Sequence, residues 1–278
     1  PTTLFLYEKL NIDILIYIFL IIIVYYSNSN FFNFFLISCL TLIKFYPAMF
    51  SSIFLLNKIN LKKKILFLFS YLILLFIFII FFKNNLINVI NTLDNVSQSF
   101  RYAFSLSSLS KIISYLLNSN SISLIKIILI FFSCLLGYIF YRSFIKSNNH
   151  SIKIHFDKKD KIFFLSGSLS VALYLIFGNN FYREIYLIGT IPFIIQNYKL
   201  NFFKSLVFLY IFKYTYLIIF FPYYYNADLY TDNFSQILIG IKSLLDFIFI
   251  TALISILFHI TIVYKNNFLS LDKINEYK

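Results

Sequence analysis

Long apolar runs recur along the whole chain, and each is bounded by clusters of Asn, Ser, Lys or Pro. A membrane β-strand would alternate polar and apolar positions over about ten residues, but runs such as 71–82 (YLILLFIFIIFF) do not alternate. A helix of about 20 apolar residues matches the hydrocarbon thickness of a bilayer. The pattern therefore predicts membrane helices over 11–26, 31–56, 65–82, 122–141, 162–178, 185–196, 202–221 and 237–263, of which 185–196 is short enough to be tilted or partly re-entrant.

The composition excludes a water-soluble domain. Of the 278 residues, 60% are hydrophobic and 13% are charged, whereas about 25% are charged in soluble domains. The mean hydropathy is +0.81. We therefore predict an all-α polytopic transmembrane bundle of about 8–9 membrane helices, in which residues 1–278 form a single integral membrane domain.

The net charge of +13 reflects orientation in the membrane and does not indicate a nucleic-acid partner. Cytoplasmic loops of membrane proteins are enriched in Lys and Arg. One set of loops holds 15 of these residues and the other holds 4, which predicts that the first set is cytoplasmic. The first set is 57–64, 142–161, 197–204 and 265–278, and the second is 83–121, 178–184 and 222–236.

The outer segment 83–121 is too long for a turn. It contains an amphipathic stretch from Val96 to Leu117, with Arg101 and Lys111 on it. A helix of this kind lies in the plane of the membrane surface. We predict an interfacial segment on the outer face.

The run 31–56 contains Lys44 and Pro47 in its interior. A single helix would place the lysine in the membrane centre at a cost of about 2.5–3.5 kcal/mol, and the proline would interrupt its hydrogen bonds. Two short helices, 31–43 and 47–56, avoid both costs. The prediction is a hairpin whose tip carries Lys44 near the outer surface.

Three segments resemble bacterial membrane proteins of glycosyltransferase family 87, which belongs to the GT-C class. The family shows a Glu-Arg-Gly-Asn step, a Lys-x-x-Pro step and a Tyr-Arg step before a helix that ends at Pro. The corresponding residues here are Glu8-Lys9-Leu10-Asn11, Lys44-Phe45-Tyr46-Pro47, and Tyr182-Arg183 with Pro192. Lys9 and Leu10 depart from the pattern, and the aspartate of the first outer loop, which supplies the catalytic base in the class, has no counterpart.

The resemblance implies a GT-C-like hexosyl- or mannosyl-type transferase that takes a sugar from a polyprenyl-phosphate donor at the outer face of the bacterial inner membrane. The acceptor is a glycan or a lipid, the membrane lipid is a partner, and no cofactor or metal is expected. We assign the donor phosphate to Lys44 and Arg183, because Arg offers a planar fork and Lys a point charge. The candidates for the sugar or the acceptor are Glu8, Asn11, Asp13 and Tyr182.

The chain starts with Pro1 rather than Met, and an apolar run follows within about ten residues, so we expect an N-terminal truncation that removes the catalytic base. No catalytic residue is assigned. A transporter or lipid-linked saccharide flippase and a structural subunit of a membrane complex are the alternatives.

Further polar residues lie inside the apolar runs. Lys242 and Asp246 are four apart on one helix and can pair, while Lys213 and His259 are candidates for lining a proton or ion path.

Overall fold

The computed structural model describes residues 12–25, 29–43, 46–56, 61–81, 83, 105–117, 121–146, 152, 154, 157–176, 181–226 and 233–276. These residues fold into helices and turns with no strand among them, which confirms the all-α prediction. The α-helices are α1 Ile12–Tyr25, α2 Asn30–Ile43, α3 Ile53–Leu56, α4 Leu61–Phe81, α5 Leu106–Leu116, α6 Ile122–Phe140, α7 Lys158–Leu175, α8 Ile191–Gln196, α9 Asn201–Asn226 and α10 Asn233–Glu276.

Two 3-10 helices and one π-helix accompany these α-helices. A first 3-10 helix, Tyr46–Ser52, leads into α3, and a second, Phe181–Thr190, leads into α8. A π-helix, Tyr141–Ile145, continues α6.

Four helices in the described part of the chain are long and apolar enough to cross a membrane. They are Lys62–Phe81, Ile122–Ile145, Asn201–Phe220 and Ile237–Val263. Each overlaps a run that the sequence pattern predicts, and by length and composition they support a membrane protein. Three apolar helices are shorter, namely Ile12–Tyr25, Asn30–Thr41 and Ile185–Gln196.

Helix α7 is the centre of the bundle. Asp157 caps its first turn by accepting hydrogen bonds from the main-chain N–H groups of Lys159 and Asp160 at 2.8 and 3.0 Å. Thirteen of its 18 residues are buried. One side of α7, including Phe163, belongs to a core formed with α5, α6, α8, α9 and α10, and the other, including Leu169, belongs to a core formed with α1, α2, α3 and α4.

Contacts at the helix ends fix the directions of neighbouring helices. The Lys158 ammonium, at the start of α7, donates to the carbonyl oxygen of Tyr25, at the end of α1, over 3.0 Å. The Lys126 ammonium, near the start of α6, donates to the carbonyl oxygen of Ile176, just beyond α7, over 3.2 Å. The start of α7 is therefore joined to the end of α1, and the end of α7 to the start of α6.

The run 31–56 is divided in the structure. Helix α2 ends at Ile43 and the first 3-10 helix begins at Tyr46, and both contribute to the core that contains Ile37 and Phe50. Lys44, at the predicted tip of the hairpin, lies outside the described residues.

The described part of the predicted outer segment consists of residue 83 and α5 with its flanks. Ser105 caps α5 by accepting a hydrogen bond from the main-chain N–H of Ser107 at 3.0 Å. Leu106 and Leu109 are buried against α6 and α10, whereas Leu116 is exposed. Helix α5 is thus packed onto the bundle.

Glycine allows α6 and α10 to approach closely. A Cβ added at Gly137 would lie 2.6 Å from Ile254 Cγ2 and 3.1 Å from Ile254 Cβ. Small residues at helix crossings increase van der Waals contact where no hydrophobic effect drives helices together.

Gly137→Ala is therefore expected to lower the free energy of unfolding by about 1–3 kcal/mol through overpacking. Gly240→Ala is the matched control, because nothing lies within 4 Å of a Cβ at Gly240. The control is expected to be neutral or more stable by up to about 1 kcal/mol. Thermal unfolding of both variants in detergent measures the difference, and equal midpoints would contradict the close crossing.

Candidate functional site

The predicted site residues are described to different extents. Glu8, Asn11 and Lys44 lie outside the described residues. Tyr182 and Arg183 belong to the first turn of the second 3-10 helix, where the structure describes the backbone. Asp13 is described with its side chain and lies in the first turn of α1. The described residues contain two clusters of buried polar residues, and Asp13 belongs to the first of them.

The first cluster, the α1–α7 junction, consists of Asp13, Tyr17, Ser166, Tyr186 and Gly189. Asp13 and Tyr186 are fully buried. The Tyr186 hydroxyl donates to the Asp13 carbonyl oxygen at 3.2 Å across 173 residues of sequence. The hydrogen bond places the start of α1 beside the second 3-10 helix.

Close packing holds the junction together. The rings of Tyr17 and Tyr186 meet edge to face with centroids 6.0 Å apart. A Cβ added at Gly189 would overlap the Ser166 hydroxyl and lie 3.6 Å from the Tyr17 hydroxyl. Only a residue without a side chain fits where the second 3-10 helix crosses α7 and α1.

The Asp13 carboxyl is placed at a favourable end of its helix. The N-terminus of a helix carries a partial positive charge that stabilises a carboxylate. Asp13 lies about 18 Å along α1 from Tyr25, at the rise of a regular helix. Its distance from Tyr25 puts Asp13 in the half of α1 farther from Lys158, whose loop is predicted to be cytoplasmic.

The second cluster, the charge cluster, consists of Lys213, Lys242 and Asp246. Lys242 Nζ lies 2.9 Å from Asp246 Oδ2, which confirms the predicted pair. Lys213 Nζ, from α9, lies 2.8 Å from Asp246 Oδ1, with 0% of the lysine side chain and 1% of the aspartate side chain exposed. One carboxylate thus serves two ammonium groups, each through its own oxygen.

Aromatic rings surround Lys213. Its ammonium lies 5.3 Å from the ring centroid of Tyr214 and 5.8 Å from that of Phe249. Ring faces attract cations, and more strongly where water is excluded. These rings and Asp246 together hold Lys213 as a fixed cation between α9 and α10.

The charge cluster adjoins the C-terminal end of α7. The Tyr174 hydroxyl donates to the carbonyl oxygen of Ser243, the neighbour of Lys242, at 3.4 Å. Two residues after Tyr174 comes Ile176, whose carbonyl oxygen accepts from Lys126. Lys126 was not among the predicted site residues. Its position, a few residues inside an apolar run on the lysine-poor side, was the available signal.

His259 lies apart from both clusters. It is buried, and its ring centroid lies 6.1 Å from that of Tyr141 in the π-helix. Among the described residues, its Nε2 atom has no hydrogen-bond partner.

Comparison with protein-family models, with curated proteins and with solved structures finds no match to the chain. Within the described residues, no group of three or more His, Cys, Asp or Glu is placed to hold a metal ion. The free cysteines Cys39 and Cys134 lie on different helices, α2 and α6.

Asp246→Asn is expected to destabilise the protein by about 3–5 kcal/mol, because it removes the counter-charge of two buried lysines. The matched control is the triple variant Lys213→Met, Asp246→Leu and Lys242→Met, which removes all three charges and is expected to stay close to the wild type. The yield of monodisperse protein in detergent and the midpoint of thermal unfolding are measured for both variants. A wild-type midpoint for Asp246→Asn would contradict the shared-carboxylate arrangement.

Proposed function

We propose that the chain is a membrane glycosyltransferase of GT-C-like architecture. It transfers a hexosyl or mannosyl-type sugar from a polyprenyl-phosphate donor to a glycan or lipid acceptor at the outer face of the bacterial inner membrane. The hydrogen bond between Tyr186 and Asp13 carries the proposal. It joins Asp13, which follows the first family-like motif in the sequence, to Tyr186, which follows the third.

The proposed architecture has about 8–9 membrane helices. Besides the four long helices, the short apolar segments contribute crossings inside the bundle. Residues Phe181–Gln196 illustrate how, since ten of them form a 3-10 helix and six an α-helix. A 3-10 helix rises about 2.0 Å per residue and an α-helix about 1.5 Å. The segment therefore extends about 29 Å, close to the hydrocarbon thickness of about 30 Å.

The proposed roles follow from charge and position. Arg183 binds the donor phosphate through its planar fork, and Lys44 adds a second positive charge. Asp13, Glu8, Asn11 and Tyr182 offer oxygens and an amide to the hydroxyls of the sugar or the acceptor. A catalytic base is not assigned.

Replacing Arg183 or Lys44 with Ala is expected to lower sugar transfer about 100-fold or more, because each removes a charge that stabilises the departing lipid phosphate. Transfer from a radiolabelled polyprenyl-phosphate sugar in reconstituted vesicles measures the effect. Arg142→Ala and Lys62→Ala are the matched controls, since both side chains are exposed and lie in segments predicted to be cytoplasmic, Arg142 in the π-helix after α6 and Lys62 at the start of α4. Wild-type transfer by both Arg183→Ala and Lys44→Ala, with normal insertion, would refute the assignment.

The position of the hairpin tip is testable on its own. A cysteine at Tyr46, in a background with Cys39→Ser and Cys134→Ser, is expected to react with a membrane-impermeant maleimide added from outside. Labelling from outside is expected because the proposed hairpin tip after Ile43 faces the outer surface. Labelling that appears only after permeabilisation would place the hairpin in the opposite orientation.

A further inference from the structure

Two buried hydroxyls on α7 lack the hydrogen bonds that such groups normally make. Ser166 and Ser170 are 0% and 1% exposed, and neither Oγ atom has a hydrogen-bond partner among the described residues. Residues four apart lie on the same face of a helix, so both hydroxyls belong to one side of α7. Because a buried polar group without a partner is costly, the two serines are candidates for contacting a ligand.

Other buried hydroxyls in the described helices form hydrogen bonds within their own helix. Each donates to a main-chain carbonyl oxygen three or four residues earlier, which is the usual arrangement of Ser and Thr inside a helix. Examples are Thr41, Ser133, Thr251 and Ser255. On α7 itself, the Ser168 hydroxyl donates to the Leu165 carbonyl oxygen. Ser166 and Ser170 do not use this local arrangement, so their oxygens remain available to a ligand.

The Ser166 hydroxyl faces the main chain of Gly189 in the α1–α7 junction. A Cβ added at Gly189 would overlap this hydroxyl, and the Tyr17 hydroxyl lies 3.6 Å from the same Cβ position. Gly189 is itself buried. Hydroxyl oxygens from α7 and α1 therefore converge on the main chain of Gly189, where no side chain separates them.

The change of helix type after Gly189 provides a third oxygen. The second 3-10 helix ends at Thr190, the N-cap of α8, and Pro192 lies in the first turn of α8. In a 3-10 helix the Gly189 carbonyl oxygen accepts from the residue three positions later. That residue is Pro192, which has no N–H, and the α-helical bonds of α8 begin only with the carbonyl of its N-cap. The Gly189 carbonyl oxygen thus has no donor from its own helix.

Asp13 brings a carboxylate to the same region. A hydrogen bond from Lys158 joins the start of α7 to the end of α1, and Ser166 and Tyr17 each lie eight residues from the joined ends. Asp13 and Ser170 lie one helical turn farther along, about 6 Å. Asp13 lies on the same face of α1 as Tyr17, and it is fully buried. The α1–α7 junction therefore combines a carboxylate with neutral oxygens at neighbouring levels.

Oxygen ligands of this kind suit a sodium ion. Membrane proteins coordinate Na⁺ with main-chain carbonyls at interrupted helices, and hard cations prefer oxygen ligands. The close packing around Gly189 favours a small ion. We propose that these oxygens, here called the sodium site, bind one Na⁺. The sodium site consists of the Ser166, Ser170 and Tyr17 hydroxyls, the Gly189 carbonyl and the Asp13 carboxylate. The proposal does not rest on sugar transfer.

The test measures thermal unfolding of the full chain in detergent at equal concentrations of NaCl, KCl or choline chloride. We expect NaCl to raise the midpoint above that in choline chloride, because a ligand that binds the folded state stabilises it, and KCl to raise it less. Binding of ²²Na⁺ to the purified protein gives the affinity. Equal midpoints in NaCl and choline chloride would overturn the proposal and leave water as the partner of the two serines. An effect of KCl as large as that of NaCl would overturn the assignment to Na⁺.

The serine variants test the ligands directly. Ser166→Ala and Ser170→Ala are each expected to weaken ²²Na⁺ binding about tenfold. In choline chloride their midpoints are expected to match or exceed that of the wild type, because each change removes a buried hydroxyl without a partner. Ser168→Ala is the matched control on the same helix and is expected to bind ²²Na⁺ as the wild type does. If Ser166→Ala and Ser170→Ala keep wild-type ²²Na⁺ binding and lower the midpoint equally in both salts, the hydroxyls are structural and the proposal is wrong.

Two further variants test the carbonyl and the carboxylate. Pro192→Ala supplies an N–H that can donate to the Gly189 carbonyl oxygen, so we expect weaker ²²Na⁺ binding by a folded protein. Wild-type binding by this variant would overturn the role of Gly189. Asp13→Asn removes the negative charge and is expected to weaken ²²Na⁺ binding tenfold or more. Should Asp13→Asn fail to fold, the serine variants and Pro192→Ala decide the matter.

Discussion

The Asp246 carboxylate is the counter-charge on which two buried lysines, one on α9 and one on α10, depend. Lys213 and Lys242 are both buried, and hydrocarbon offers neither water nor counter-ions to stabilise their charges. Each ammonium finds one oxygen of the same carboxylate. A buried ion pair adds little stability compared with apolar packing, but removing one partner leaves the other charge buried without compensation, which is strongly destabilising. At this level the two helices are therefore joined by one carboxylate, and the Tyr216 hydroxyl of α9 also donates to the Leu238 carbonyl oxygen of α10 at 2.9 Å.

Helix α7 connects the charge cluster to the α1–α7 junction. Ser166 packs against Gly189 at one level of the helix, and Tyr174 reaches Ser243 two turns farther along. Lysines tie both ends of α7 to neighbouring helices, with Lys158 on the carbonyl of Tyr25 and Lys126 on that of Ile176. The segment that carries Tyr182 and Arg183 follows directly after this anchored end. Helix α7 thus contacts both the α1–α7 junction and the charge cluster.

Apolar run length was enough to predict the four long helices, since length and hydropathy are local properties. The spacing of Lys242 and Asp246 predicted their pair, because residues four apart share a helix face. Lys213 joins them from another helix, and Tyr186 meets Asp13 across 173 residues. Contacts of this kind depend on tertiary packing, which the periodicity of apolar residues along the sequence does not predict. The 3-10 form of Phe181–Thr190 was also not predicted, since its apolar residues suit an α-helix equally well.

The most direct test of the account is a distance measurement in a bilayer. Solid-state NMR with ¹³C at the Asp246 carboxyl carbon and ¹⁵N at the lysine side chains detects which ammonium groups contact the carboxylate. The structure predicts two short couplings, one lost in Lys213→Arg and the other in Lys242→Arg, because the arginine that replaces each lysine carries no ¹⁵N-labelled ammonium group. A single coupling, unaffected by Lys213→Arg, would show that α9 and α10 are not joined through Asp246.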